Sequence, residues 1–108
     1  MSESNGEAIV MRVHRVRAEV VLAACDAELL GQELPVGTHG RTVKVTSHFY
    51  GERRVGREEF VWALQRATTA NLLGARVLSW AQDAGYVDAA GCGTLGGVPH
   101  AEIFTVDE

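Results

Sequence analysis

Residues 57–85 read REEFVWALQRATTANLLGARVLSWAQDAG, and the periodicity of this stretch decides how the rest of the chain is assembled around it. Phe60, Val61, Leu64 and Ala67 fall at helical spacing, and Leu72, Ala75, Leu78 and Ala81 or Gln82 continue the stripe, which predicts helix with one apolar face. Glu58 and Glu59 near the start and Gly85 past the end match the polarity of a helix dipole and a glycine stop. A single helix over the whole stretch would be long for so small a domain, so a break near Thr68-Thr69 and Gly74 is preferred.

Upstream, Ile9, Met11, Val13 and Val16 alternate against Val10, Arg12, His14 and Arg15, the period of a half-buried strand. Residues 19–25 form a second, more apolar run, and with Arg17-Ala18 between them the two read as a β-hairpin. Asp26 stands where an N-cap would, ahead of one short helical turn over Ala27, Glu28, Leu29 and Leu30 that stops at Gly31. Leu34-Pro35-Val36-Gly37 and His39-Gly40 are turn chemistry, and residues 42–46 are β-prone enough to be a third strand. Downstream, the glycines between Gly91 and Gly97, then Ala101, Ile103, Phe104 and Val106, predict a short strand, a Gly-Gly turn and a final strand. Strands and helices do not alternate regularly. The expected fold is therefore α+β, a mostly antiparallel sheet of about four to five strands with one long or two shorter helices packed on one face.

The 108 residues suit one domain over 8–108, with residues 1–7 as a flexible N-terminal extension. With 46% hydrophobic residues, 22% charged and two prolines, the composition is that of a packed domain rather than a disordered tail. The longest apolar runs, 20–25 and 70–75, fall far short of the roughly 20 residues of a membrane helix. The polar, acidic start lacks the pattern of a secretory signal, so the cytoplasm is the expected location. Cys25 and Cys92 fit reduced thiols better than a secreted disulfide framework, with their pairing left open. The net charge is −4, yet residues 12–57 carry eight Lys and Arg against five Asp and Glu, and nine of the ten basic residues are Arg. Arginine suits bidentate contact with phosphate or carboxylate. GC-rich coding would produce the same bias.

Four segments then stand out together: Cys25-Asp26 with Leu29-Leu30-Gly31; His48-Phe49-Tyr50-Gly51; Ala67-Thr68 with Ala70-Asn71-Leu72 and Gly74; and Gly96-Gly97-Val98-Pro99-His100-Ala101. In order and spacing they resemble a family of small archaeal proteins known as domain of unknown function 424, over about Met11 to Val106. The resemblance implies an archaeal cytoplasmic protein and brings no chemistry with it. Such sequences tend to end the last motif in Gln where this chain has Glu102, so a neutral amide is dispensable at that position here.

Candidate site residues follow from the same segments. Gly96, Gly97 and His100 combine close backbone approach with a side chain that donates, accepts or titrates near neutral pH; the structural alternative is a tight hairpin turn. Asn71 sits in apolar context, where its amide either stitches a kink to a neighbouring loop or faces a ligand. With Tyr50 and His48, these form a candidate ligand or partner site. Arg12 and Arg15 on the first strand and Arg53, Arg54 and Arg57 beside His48, Phe49 and Tyr50 offer guanidinium groups and rings in the combination used for single-stranded nucleic acid. The alternative is a strand end with Phe49 in the core and a solvated arginine loop.

No catalytic, metal or cofactor motif is present: there is no Gly-x-x-x-x-Gly-Lys, no Cys-x-x-Cys and no His-x-x-x-His. Cys25 before a helix start could be a nucleophile, but its apolar run and the adjacent Asp26 carboxylate favour ordinary core. Two function classes remain. The first is a non-catalytic binding module contacting RNA or a ribonucleoprotein; the second is a small enzyme or ligand-binding protein with a pocket near His100, Asn71 and Tyr50.

Overall fold

The hairpin expected at the start of the chain forms, from β1 (Ile9–Val16) and β2 (Glu19–Asp26), in register from Ile9 opposite Asp26 to Val16 opposite Glu19. A computed structural model of the protein describes residues 8–88 and 91–104, so residues 1–7 and the end of the last expected strand lie outside the described residues. Ile9, Val10 and Met11 are all buried, because the start of β1 is sandwiched between layers on both sheet faces, whereas its end from Arg12 onward is open. The turn lacks glycine, and Arg17 adopts a left-handed φ of 58°. That region costs a side-chain-bearing residue about 1–2 kcal/mol. Arg17→Gly is expected to stabilise the protein by about 0.5–1 kcal/mol, less than the full relief because glycine loses more chain entropy on folding; a urea titration measures it.

After a 3-10 turn at Ala27–Leu29 come β3 (Glu33–Val36) and β4 (Arg41–Lys44), paired only with each other, then α1 (Ser47–Tyr50) and β5 (Arg53–Val55). Leu34-Pro35 was expected as turn but lies in β3 with Pro35 opposite Thr42; proline is tolerated because this small sheet leaves β3 an edge. The chain continues through α2 (Arg57–Arg66), β6 (Thr69–Leu73), α3 (Ala75–Asp83), β7 (Gly93–Leu95) and β8 (Val98–Phe104). The expected break in the helical stretch is therefore real, and it contains a strand. Thr69–Leu73 is the third strand from one edge in a six-stranded sheet ordered β5-β1-β2-β6-β8-β7. Its pairing with β2 is parallel and every other pairing in this sheet is antiparallel, so the sheet is mixed and wider than the four to five strands expected.

The α+β class and the placing of α2 and α3 on one face hold. Phe60, Leu64, Val77 and Ala81 pack there against Ile9, Leu22, Ala24, Ala70, Leu72 and Ala101. The opposite face carries a second core that was not expected: Val10, Ala23, Cys25 and Leu73 lie beneath Leu29, Leu34, Val45 and Tyr50. Asp26, placed as the cap of the following turn, makes no side-chain bond there. Its buried carboxylate reaches α3 instead, Oδ2 accepting from Arg76 N at 3.0 Å and Oδ1 from Val77 N at 2.9 Å. These are helix N-terminal N–H groups that no residue of the helix can satisfy. Burial pushes the Asp26 carboxyl up, more strongly than these donors and the Arg76 charge pull it down.

Candidate functional site

The site follows from how far the second layer reaches. Alternation along each strand and the pairing registers put Val10, Cys25, Leu73 and His100 in one row across β1, β2, β6 and β8. Arg12, Ala23, Asn71 and Glu102 form the next row, and His14, Val21, Thr69 and Phe104 the one after. The first row is roofed by the β3–β4 hairpin and α1. The roof ends at the second row, so Asn71, Val21 and Thr69 are half-buried while Glu102 is exposed and Phe104 is 71% exposed.

Short α1 forms the edge of that roof. Thr46 caps it, its hydroxyl accepting from Phe49 N at 3.2 Å, and Gly51 ends it with φ 82°. Three bonds pin it to the sheet: Arg12 Nη1 donates to the His48 carbonyl at 3.1 Å, His14 Nε2 lies 2.7 Å from the Phe49 carbonyl, and Tyr50 OH donates to Asn71 Oδ1 at 2.9 Å. A carbonyl only accepts, so His14 carries its proton on Nε2. The His14 and Phe49 rings stack at 5.3 Å, and Phe49 meets Tyr50 edge-on at 4.8 Å. Burial, with the nearby Cys25 and Glu102, pushes the Tyr50 hydroxyl up to about 12, and burial beside Asp26 and Glu28 pushes the Cys25 thiol to about 12. Neither ionises near neutral pH.

Outside α1, an open cleft of about 620 Å³ is lined by Met11, Arg12, Val13, Ser47, His48, Gly51, Glu52 and Arg53. It exists because β5 pairs with β1 only from Ile9 to Met11, after which the outer edge of β1 runs on alone among the described residues.

Of the residues singled out in the sequence, Tyr50 and Asn71 are in direct contact, and His100 shares their sheet face one row further in. Gly96 and Gly97 lie at the far end of β8, where Gly96 is pressed onto β3: a Cβ there would stand 2.8 Å from both Leu34 Cβ and the Pro35 carbonyl. Gly96 is thus a packing glycine. His48 and Arg12 meet at the cleft, but Arg15 falls on the helix side of β1 by alternation. The arginine trio is dispersed. Arg53, on the helix side, pairs with Glu59 and still lines the cleft; Arg54 projects from the other face; Arg57 donates to Asp83 at 3.1 Å and covers the Trp80 ring. Cys25 and Cys92 are free thiols packed in cores on opposite sheet faces. Among the described residues no group of three or more His, Cys, Asp or Glu is placed to hold a metal, and no helix is long and apolar enough to cross a membrane.

His14, Thr69, Glu102 and Phe104 escaped the sequence reading as site residues. Thr69 and Asn71 share a face only if 69–73 is a strand, and read as helix they point apart.

The family model for a protein of unknown function, DUF424, matches residues 14–106. A crystal structure of an uncharacterized conserved protein from Methanopyrus kandleri is similar, with a TM-score of 0.77 and 30% identity over 94% of this chain and 96% of that one. No curated protein matches the chain.

Proposed function

The chain belongs to the DUF424 family, a family described as of unknown function, and we propose that it is a non-catalytic binding module that holds single-stranded RNA, free or within a ribonucleoprotein. The observation that carries this reading is the cleft beside α1, where two segments far apart in sequence, around Arg12 and from Ser47 to Arg53, line one open groove. Arg12 and Arg53 offer guanidinium groups to phosphates, and Ser47 and His48 add polar contacts. Glu52 suits a ribose 2′-hydroxyl, a donor that DNA lacks. The stacked His14 and Phe49 rings form the adjoining ridge, the sort of surface on which unpaired bases stack. The non-catalytic part rests on Cys25 and Tyr50, which burial keeps protonated and so unfit as nucleophile or base at neutral pH.

The test is binding of a labelled oligouridine followed by anisotropy over roughly 50–200 mM salt. Each phosphate contact contributes about −0.7 to the slope of log K against log salt on single strands. Arg12→Gln and Arg53→Gln are each expected to flatten the slope by about that amount, whereas Arg57→Gln, whose side chain does not line the cleft, leaves it unchanged. No measurable affinity in the parent protein at the lowest salt would overturn the reading.

A further inference from the structure

We infer that the uncovered half of the sheet face, inward of the His14–Phe49 ridge, is a base-reading surface selective for guanine. This rests on the RNA reading and adds a sequence preference to it. Three features of the surface carry the inference.

The first is an unengaged carboxylate. Glu102 is exposed and, among the described residues, makes no hydrogen bond or ion pair. It stands on the open face directly opposite Asn71. The second is an amide held in one orientation: Tyr50 OH donates to Asn71 Oδ1, which leaves the Nδ2 donors as the end free to meet a ligand. Residues directly opposite on antiparallel strands have Cβ atoms about 4.5–5.5 Å apart. A donor from Asn71 thus lies beside the two acceptors of Glu102.

Guanine presents the complement in order along its Watson–Crick edge: the O6 acceptor, the N1–H donor and the N2 amino donor. Uracil has a single donor between two acceptors, cytosine one donor beside two acceptors, and adenine one donor beside one acceptor. Only guanine fills both carboxylate oxygens while accepting from the amide. The third feature is the flanking surface. Phe104 follows Glu102 on the same face and is 71% exposed, which gives the base a ring to stack on, and Thr69 opposite it adds a hydroxyl to the floor. The His14–Phe49 ridge stands between this floor and the arginine cleft, and Glu102 lies three strands in from Arg12, roughly 14 Å at about 4.8 Å per strand, so a strand whose phosphates start in the cleft crosses the ridge and lays a base further along on the floor.

The experiment uses the full chain and three short labelled oligouridines: unmodified, with one central guanosine, and with inosine in its place, which lacks only the N2 amino donor. In the parent protein the guanosine oligomer is expected to bind about tenfold tighter than unmodified oligouridine, the discrimination of one good bidentate contact, and inosine to lose most of that gain. Glu102→Gln, at an exposed position, brings the guanosine and inosine oligomers within about twofold while keeping the affinity and salt slope of unmodified oligouridine. If the parent binds all three equally, or if Glu102→Gln retains the preference, guanine selectivity falls and the RNA reading stands. If the parent binds none of the three, both fall. The inosine comparison requires no variant to fold.

Discussion

Gly74→Ala is expected to destabilise the protein by roughly 4 kcal/mol, a large part of the 5–15 kcal/mol that holds a domain of this kind together. Gly74 has φ 123° and ψ 150°, a backbone region essentially restricted to glycine, where a side chain costs about 1–3 kcal/mol. The larger problem is space. A Cβ at Gly74 would stand 2.4 Å from the Asp26 carboxyl carbon, inside any tolerable contact, so the carboxylate has to leave. It would then abandon the amide N–H groups of Arg76 and Val77 at the start of α3, at a site where Asp26 is only 5% exposed. A lost cap costs about 0.5–2 kcal/mol, and more where the orphaned donor is buried. A urea titration reads the loss as a lower midpoint at unchanged slope. Because part of the penalty is a clash with Asp26 itself, Gly74→Ala combined with Asp26→Ala should cost clearly less than the sum of the two single changes. Strict additivity, or a Gly74→Ala protein within about 1 kcal/mol of the parent, would show that α3 starts without this contact.

That contact also marks where local pattern stops being informative. Asp26 in front of Ala27-Glu28-Leu29 looks like a cap, since the residue types that cap a helix are the same whichever helix they reach. Its true partners are fifty and fifty-one residues away. Thr69–Leu73 misleads for a related reason. Thr69 and Asn71 alternate with buried Ala70 and Leu72, and only Leu73 at its end lies under the second core, but an alternation of so few residues fits a helix as well as a strand. Its neighbours Arg57–Arg66 and Ala75–Asp83 are helical, so the stripe appeared to run through. The β1–β2 hairpin, the two helices on one face and the Gly-Gly turn before β8 were legible because each depends on residues close in sequence.

The family was legible for a different reason: four spaced segments specify more than any local periodicity does. Of the candidate site, the sequence reading isolated Tyr50, Asn71 and Arg12, each of which makes a contact that fastens α1 to the sheet. It grouped Arg53, Arg54 and Arg57 as one patch. Strand alternation and the Asp83 partner, neither apparent without the fold, separate them.

Gly51→Ala is expected to be as damaging as Gly74→Ala, and its consequence falls on the proposed binding surface. Gly51 closes α1 with φ 82° and ψ 179°, again a glycine-only combination. A Cβ would lie 2.5 Å from the Met11 carbonyl oxygen and 2.9 Å from Arg12 Cβ, and the first of these is β1 backbone at the end of the β1–β5 pairing. Neither atom can swing aside as the end of a flexible side chain would, so relief requires α1 to lift from β1. The residues just before Gly51 carry every anchor of that helix: the His48 carbonyl held by Arg12, the Phe49 carbonyl held by His14, and the Tyr50 hydroxyl on Asn71. Lifting α1 strains all three and opens the second core beneath Tyr50, for an expected loss of about 3–5 kcal/mol. Gly56→Ala is the matched control, since a Cβ there meets nothing within 4 Å and its φ of −92° suits any residue. It should leave the urea midpoint within about 0.5 kcal/mol of the parent. A Gly51→Ala protein as stable as that control would mean that α1 moves freely on the sheet, and a ridge that moves freely cannot hold the arginine cleft and the base-reading floor in fixed relation.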